Sequence, residues 1–256
     1  MRIPVALLLS ILLIPVMLRA QDTDWFQKGI EATDPAEQIR CFTISITTES
    51  DPGAAYYCRA SVKLRQGDIP GAIDDYTRCI ELDSNDAGSY YNRGIAKQHI
   101  SADYKGAVND LIRAYEIEPT NASYINMVSE IYVKAEEYVK AISFYLKVLE
   151  LYPGNPTVYD NLGFCYLATG NSESALRNFN TALALQPLLV DAMLGMALTY
   201  YYKKDMVNAK KYIKLAKSSH YLLRHGPEGF EAFKKEGLLY NRKDNEALIH
   251  MLKKWE

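Results

Sequence analysis

An alanine recurs along this chain at Ala72, Ala107, Ala141, Ala175 and Ala209, at intervals of 35, 34, 34 and 34 residues. Five evenly spaced copies constrain the fold more than composition does. A chain of equal units buries its apolar faces between neighbouring units instead of around one centre. Composition alone, with 48% of the 256 residues hydrophobic and 23% charged, would allow an ordinary globular domain.

The copy at 156–189 is the clearest. Tyr159, Leu162, Gly163 and Tyr166 fall at i, i+3, i+4 and i+7, which is one face of a helix. Thr169-Gly170-Asn171 breaks that pattern with turn-forming residues. A second stripe follows at Ala175, Leu176, Phe179, Ala182 and Leu183, and Pro187, whose ring cannot continue a helix, ends it. The unit is a helical hairpin, with small residues at Gly163, Ala175 and Ala182 where its helices must approach closely.

This pattern resembles the tetratricopeptide repeat (TPR), a 34-residue helix-turn-helix with an aromatic, Leu, Gly and Tyr first helix, an Ala and Phe second helix and a closing Pro. The resemblance implies an all-α fold, an α-α superhelix in the form of a right-handed TPR solenoid. Five full repeats are expected at 53–86, 87–121, 122–155, 156–189 and 190–223. The one extra residue of the second falls in the turn Ser101 to Lys105, and Tyr221 replaces the closing Pro of the fifth. Degenerate hairpins are expected at both ends, over 21–52 (Trp25, Gly29, Gln38, Phe42, Ile46) and 224–256 (Phe233, Gly237, Tyr240, Ala247, Met251). A linker, Lys217 to Gly229, precedes the second, and the amphipathic stretch Asn245 to Trp255 reads as a cap over the last apolar face.

Met1 to Ala20 resembles a secretory signal peptide, with Arg2 followed by an apolar run from Ile3 to Leu18 and a small residue, Ala20. The run is shorter than the ~20 residues of a spanning helix. The expected location is therefore exported, in a periplasm, cell envelope or extracellular space. Residues 21–189 hold 14 basic against 23 acidic side chains, and residues 190–256 hold 13 against 8. This asymmetry suits attraction of an acidic partner or a membrane surface to the C-terminal end; solvated faces of amphipathic helices explain it equally. The acidic main body disfavours nucleic acid.

Chemistry is sparse in this sequence. Cys41, Cys58, Cys79 and Cys165 show no metal-ligand spacing, and only Cys41 and Cys58, on adjacent helices, form a plausible disulfide pair. His99, His220, His225 and His250 stand in no acid-base or nucleophile motif. Asn121-Ala122-Ser123 fits a glycosylation acceptor. Neither a catalytic role nor a cofactor nor a metal is expected.

In TPR proteins the first helix of each repeat lines a concave ligand-binding side, and the resemblance carries that role to matching places here. The peptide-binding groove would be lined by Tyr57, Ser61, Tyr91, Ile95, Gln98, Asn126, Glu130, Asp160, Phe164, Leu194, Leu198 and Tyr201, with Leu64, Val133 and Leu167 on its outer rung. Such a surface is apolar and aromatic, and it suits a peptide or helix of a partner protein. The clamp by which some TPR proteins grip a chaperone's acidic C-terminus needs Lys and Arg. Here Asn92 and Asn161 have Tyr91, Ile95, Asp160 and Phe164 as neighbours, so a carboxylate would meet no cation.

Overall fold

The computed structural model describes residues 24–48, 51–101, 104–235 and 242–255. The expected export signal at 1–20 and the positions Gly237 and Tyr240 lie outside the described residues. Among those described, all regular structure is helical: α1 (Trp25–Glu31), α2 (Pro35–Thr48), α3 (Gly53–Arg65), α4 (Ile69–Leu82), α5 (Ala87–Ser101), α6 (Tyr104–Ile117), α7 (Ala122–Lys134), α8 (Tyr138–Leu151), α9 (Pro156–Ala168), α10 (Ser172–Leu185), α11 (Val190–Tyr202), α12 (Met206–Ser219), a 3-10 turn (Leu222–His225), α13 (Gly226–Lys234) and α14 (Arg242–Lys254). No helix among the described residues is long and apolar enough to cross a membrane.

The chain divides into two compact units, one ending at Asp103 and one beginning at Tyr104. In the first, α1 to α5 pack each on the next; in the second, α6 to α12 do the same, and α9 also meets α11. The boundary falls between α5 and α6, inside the second repeat as periodicity draws it.

Local chemistry sets each hairpin. Asn155 caps α9 by accepting from the amides of Thr157 and Val158, and Pro156 takes a first-turn position where no amide hydrogen is needed. At the turn, Gly170 adopts φ +81°, and Asn171 then caps α10 through Ser174 N. The same left-handed turn position, 34 residues apart, is held by Glu136 (φ 58°) and Lys204 (φ 62°), while Gly67 (φ 81°) serves the first hairpin. Asp68 and Asp205 then cap α4 and α12 as Asn171 caps α10.

Packing follows the repeat. Ala72, Ala107, Ala141, Ala175 and Ala209 are fully buried, as are the large side chains four places on: Tyr76, Leu111, Tyr145, Phe179 and Ile213. Within each unit a helix buries one stripe against its own hairpin and another against the next, and this burial is the main stabilising term. A charge network reinforces the first unit. Arg59 grips Asp75 through two bonds of 2.8 and 2.6 Å, and Lys63 adds a third at 2.8 Å.

Two expectations are corrected. The linker drawn at Lys217 to Gly229 is mostly helical, since α12 runs to Ser219 and α13 starts at Gly226. Pro227 is a helix-initiating residue there, and Gly226 at φ 64° makes the reversal. All four cysteines are free; Cys41 on α2 is buried, with its Sγ 3.5 Å from Glu37 Oε1.

Candidate functional site

The first helices of the hairpins are α3, α5, α7, α9 and α11, and they carry the side chains expected to meet a ligand. In the first unit, the Tyr57 hydroxyl accepts a 2.7 Å hydrogen bond from Asn92 Nδ2, and its ring stands edge-on to Tyr76 at 5.6 Å. Ser61 Oγ lies 3.0 Å from the Tyr76 hydroxyl, whose pKa burial pushes up to about 12. Tyr57 and Ser61 thus tie α3 to its neighbours, while Tyr91, Ile95 and Gln98 are half-buried on α5. Leu64 packs against Ala60, Ala72 and Tyr76.

In the second unit, Asn126 donates to Glu130 at 2.6 Å across one turn of α7, and both remain partly exposed. Phe164 on α9 is also partly exposed, with its ring edge-on to Phe179 at 4.9 Å. One turn earlier, Asp160 is only 5% exposed. Burial, followed by the charge of Asp191, raises its carboxyl well above the ordinary range. Val133 is half-buried and Leu167 is buried.

The end of this face is closed. Leu194 and Leu198 are fully buried, in a core that includes Leu248, Met251 and Leu252 from α14 and Trp255 just past its end. Tyr201 lies 6.3 Å from the His250 ring, centroid to centroid. Those two leucines are therefore core residues; periodicity assigns a residue to a face but does not show what a later helix lays over it.

Two contributors escaped sequence reading. Asp191, in the first turn of α11, has its pKa pushed up to about 6 by burial. It sits 31 residues after Asp160, three short of a repeat, a spacing that sets the fifth place of one first helix near the second place of the next. Tyr145 on α8 is buried, and burial, with the charges of Glu130 and Asp160 adding to it, raises its hydroxyl pKa far above the ordinary range. Asn92 thus serves a tyrosine of the fold. Among the described residues, no three His, Cys, Asp or Glu side chains gather as a metal-holding group.

Comparison with known proteins agrees with this architecture. Two stretches, 122–155 and 144–177, match models of the tetratricopeptide repeat. The chain is 23% identical over 198 residues to DnaJ homolog subfamily C member 3 of Rattus norvegicus, covering 70% of this chain and 38% of the relative. It is 29% identical over 149 residues to a TPR repeat-containing protein of Methanocaldococcus jannaschii, covering 58% and 24%. It thus spans well under half the length of either. Among solved structures, YrrB, described as a TPR protein with an unusual peptide-binding site, superposes with TM-score 0.63 at 23% identity over 75% of this chain and 97% of that one. MamA does so with TM-score 0.61 at 21% identity over 74% and 97%. Residues 122–177 thus match the tetratricopeptide repeat, and the helical architecture is similar to that of solved TPR proteins.

Proposed function

We propose that this chain is a non-catalytic interaction module, exported from the cytoplasm, that holds a peptide or helical segment of a partner protein on the first-helix faces of its units. One observation carries the reading: the second-helix positions Tyr76, Leu111, Tyr145 and Phe179 are buried in the core, whereas Tyr91, Ile95, Asn126, Glu130 and Phe164 on the first helices keep exposed surface. Aromatic and amide side chains on a rigid scaffold suit peptide recognition, because little side-chain entropy is lost on binding. The leader-like segment Met1 to Ala20 supports export. The test is affinity capture from a native envelope fraction beside the Tyr91→Ala/Phe164→Ala double variant. Loss of the captured partner with helicity unchanged is expected; undiminished capture would refute the reading.

A second reading is attachment to an anionic membrane surface through the basic C-terminal third, favoured by the exposure of Lys203, Lys204, Lys210, Lys211 and Lys214. Co-sedimentation with phosphatidylserine vesicles, with the five lysines intact or changed to Gln, decides it. Equal pelleting of the two forms would remove this reading.

A further inference from the structure

Buried carboxylates in this protein have partners. Asp75, 3% exposed, is held by Arg59 and Lys63, and Asp244, 9% exposed, accepts from the Tyr202 hydroxyl. Asp160 departs from this pattern. It is 5% exposed, its Oδ1 is enclosed without any hydrogen-bond partner, and the neighbouring charge acting on it is another carboxylate, Asp191. An ionised carboxylate in that setting is costly. Glu130 on α7 and Asp160 on α9 both act on the buried Tyr145 hydroxyl. Carboxylates of α9 and α11 therefore act on one another, and no cation of the described residues pairs with Asp160.

We propose that Asp160, with Asp191 acting on it, receives one basic side chain, an arginine or a lysine, from a peptide lying on this face. The inference rests on the peptide-binding reading and adds the chemistry of its ligand. A cation supplied from outside gives Asp160 the partner that the chain withholds, and a guanidinium has the fork to donate to two carboxylates at once. Phe164, one helical turn from Asp160 and partly exposed, offers a ring face against which a guanidinium stacks. The gathered ligands fall short of a metal-holding group, whereas a guanidinium or ammonium brings its own donors.

The test is a positional-scanning array of acetylated, amidated decapeptides, with one position fixed in turn as Arg, Lys, Gln or Glu. It is probed with the full-length chain, Asp160→Asn, and the charge control Glu173→Gln, whose side chain is exposed on α10. Circular dichroism first establishes equal helicity. The expected result is a preference of about tenfold for Arg or Lys over Gln at one position, retained by Glu173→Gln and reduced below about twofold in Asp160→Asn. Peptides held equally well with Gln, or a basic preference that survives Asp160→Asn, would overturn this inference and leave peptide binding intact. No peptide held by any form would overturn both. Calorimetric binding of Ca²⁺ or Mg²⁺ that disappears in Asp160→Asn would also overturn it, by making the site a metal site.

Discussion

Tyr202 on α11 donates a 2.7 Å hydrogen bond to Asp244 in the first turn of α14, joining residues 42 apart. The bond fixes the start of a helix whose Leu248, Met251 and Leu252, with Trp255 just past its end, are buried in the same core as Leu194 and Leu198. The other end is held by Lys217, whose Nζ reaches the carbonyls of Leu252 and Trp255 at 3.5 and 3.4 Å, a cation where a helix C-terminus favours one. A repeat stack ending at α12 would leave that apolar face in water, and α14 covers it.

Tyr202→Phe removes the donor and leaves Asp244 in a buried setting without it. A loss of about 1.5–3 kcal/mol is expected, the range for a bond to a charged acceptor, measured by urea unfolding. Hydrogen exchange should rise first in α14, because its anchor is gone while the hairpins keep theirs. Deleting residues 242–256 goes further by uncovering Leu194 and Leu198, and light scattering should show concentration-dependent association. A deleted chain that stays monomeric at high concentration would show that α14 is not the cover.

The aromatic ring of Phe179 is pinned between two helices by glycine. A Cβ added at Gly163 on α9 or at Gly195 on α11 would drive into that ring in each case. Gly163→Ala and Gly195→Ala should each cost about 1–3 kcal/mol from overpacking, despite the better helix propensity of Ala. Shrinking the ring with Phe179→Leu should recover part of either loss, which a double-mutant cycle measures. Additive losses would mean that the ring is not the obstacle.

Much of this was legible because packing residues repeat. Gly163 and Ala175 announce close helix approach, and Gly29 against Phe42, where an added Cβ would lie 2.6 Å from the ring, repeats the arrangement near the N-terminus. The face meeting a ligand was less legible. Leu194 and Asp160 occupy the same place in successive repeats, yet one joins the core that α14 shares and the other becomes a buried acid, because each depends on what lies across from it. The role of Asp191 was hidden for the same reason: the first turn of a helix is an ordinary place for an acid, and only the pairing of α9 with α11 brings it to bear on Asp160.

The turns offer a separate test. Glu136 and Lys204 sit at φ 58° and 62°, where Gly67 and Gly170 stand in other repeats. A side chain there is strained against its backbone, a cost of roughly 1 kcal/mol that glycine avoids. Glu136→Gly and Lys204→Gly should therefore leave stability unchanged or raise it by about 0.5–1 kcal/mol, even though glycine normally gives the unfolded chain more freedom. A clear loss in thermal unfolding would show that Glu136 or Lys204 makes a contact outweighing its strain.

Asp160 is expected to contribute to the pH dependence of stability. Burial raises its carboxyl well above the ordinary 3.8, with the charge of Asp191 adding to the shift, and burial brings Asp191 to about 6. Acids whose pKa is higher folded than unfolded hold protons more tightly in the native state, so their stabilising contribution is full below about 3.8 and is lost as pH rises through 6. Asp160→Asn keeps the shape, removes that ionisation and relieves Asp191 of a like charge. The variant should match the wild type near pH 4 and exceed it by about 1–3 kcal/mol near pH 7.5, read as urea midpoints at the two values. Equal midpoints at both would mean that Asp160 is already paired in solution. With an arginine-bearing peptide added near pH 7.5, the order should narrow or reverse, because only the wild type has the carboxylate that the guanidinium neutralises.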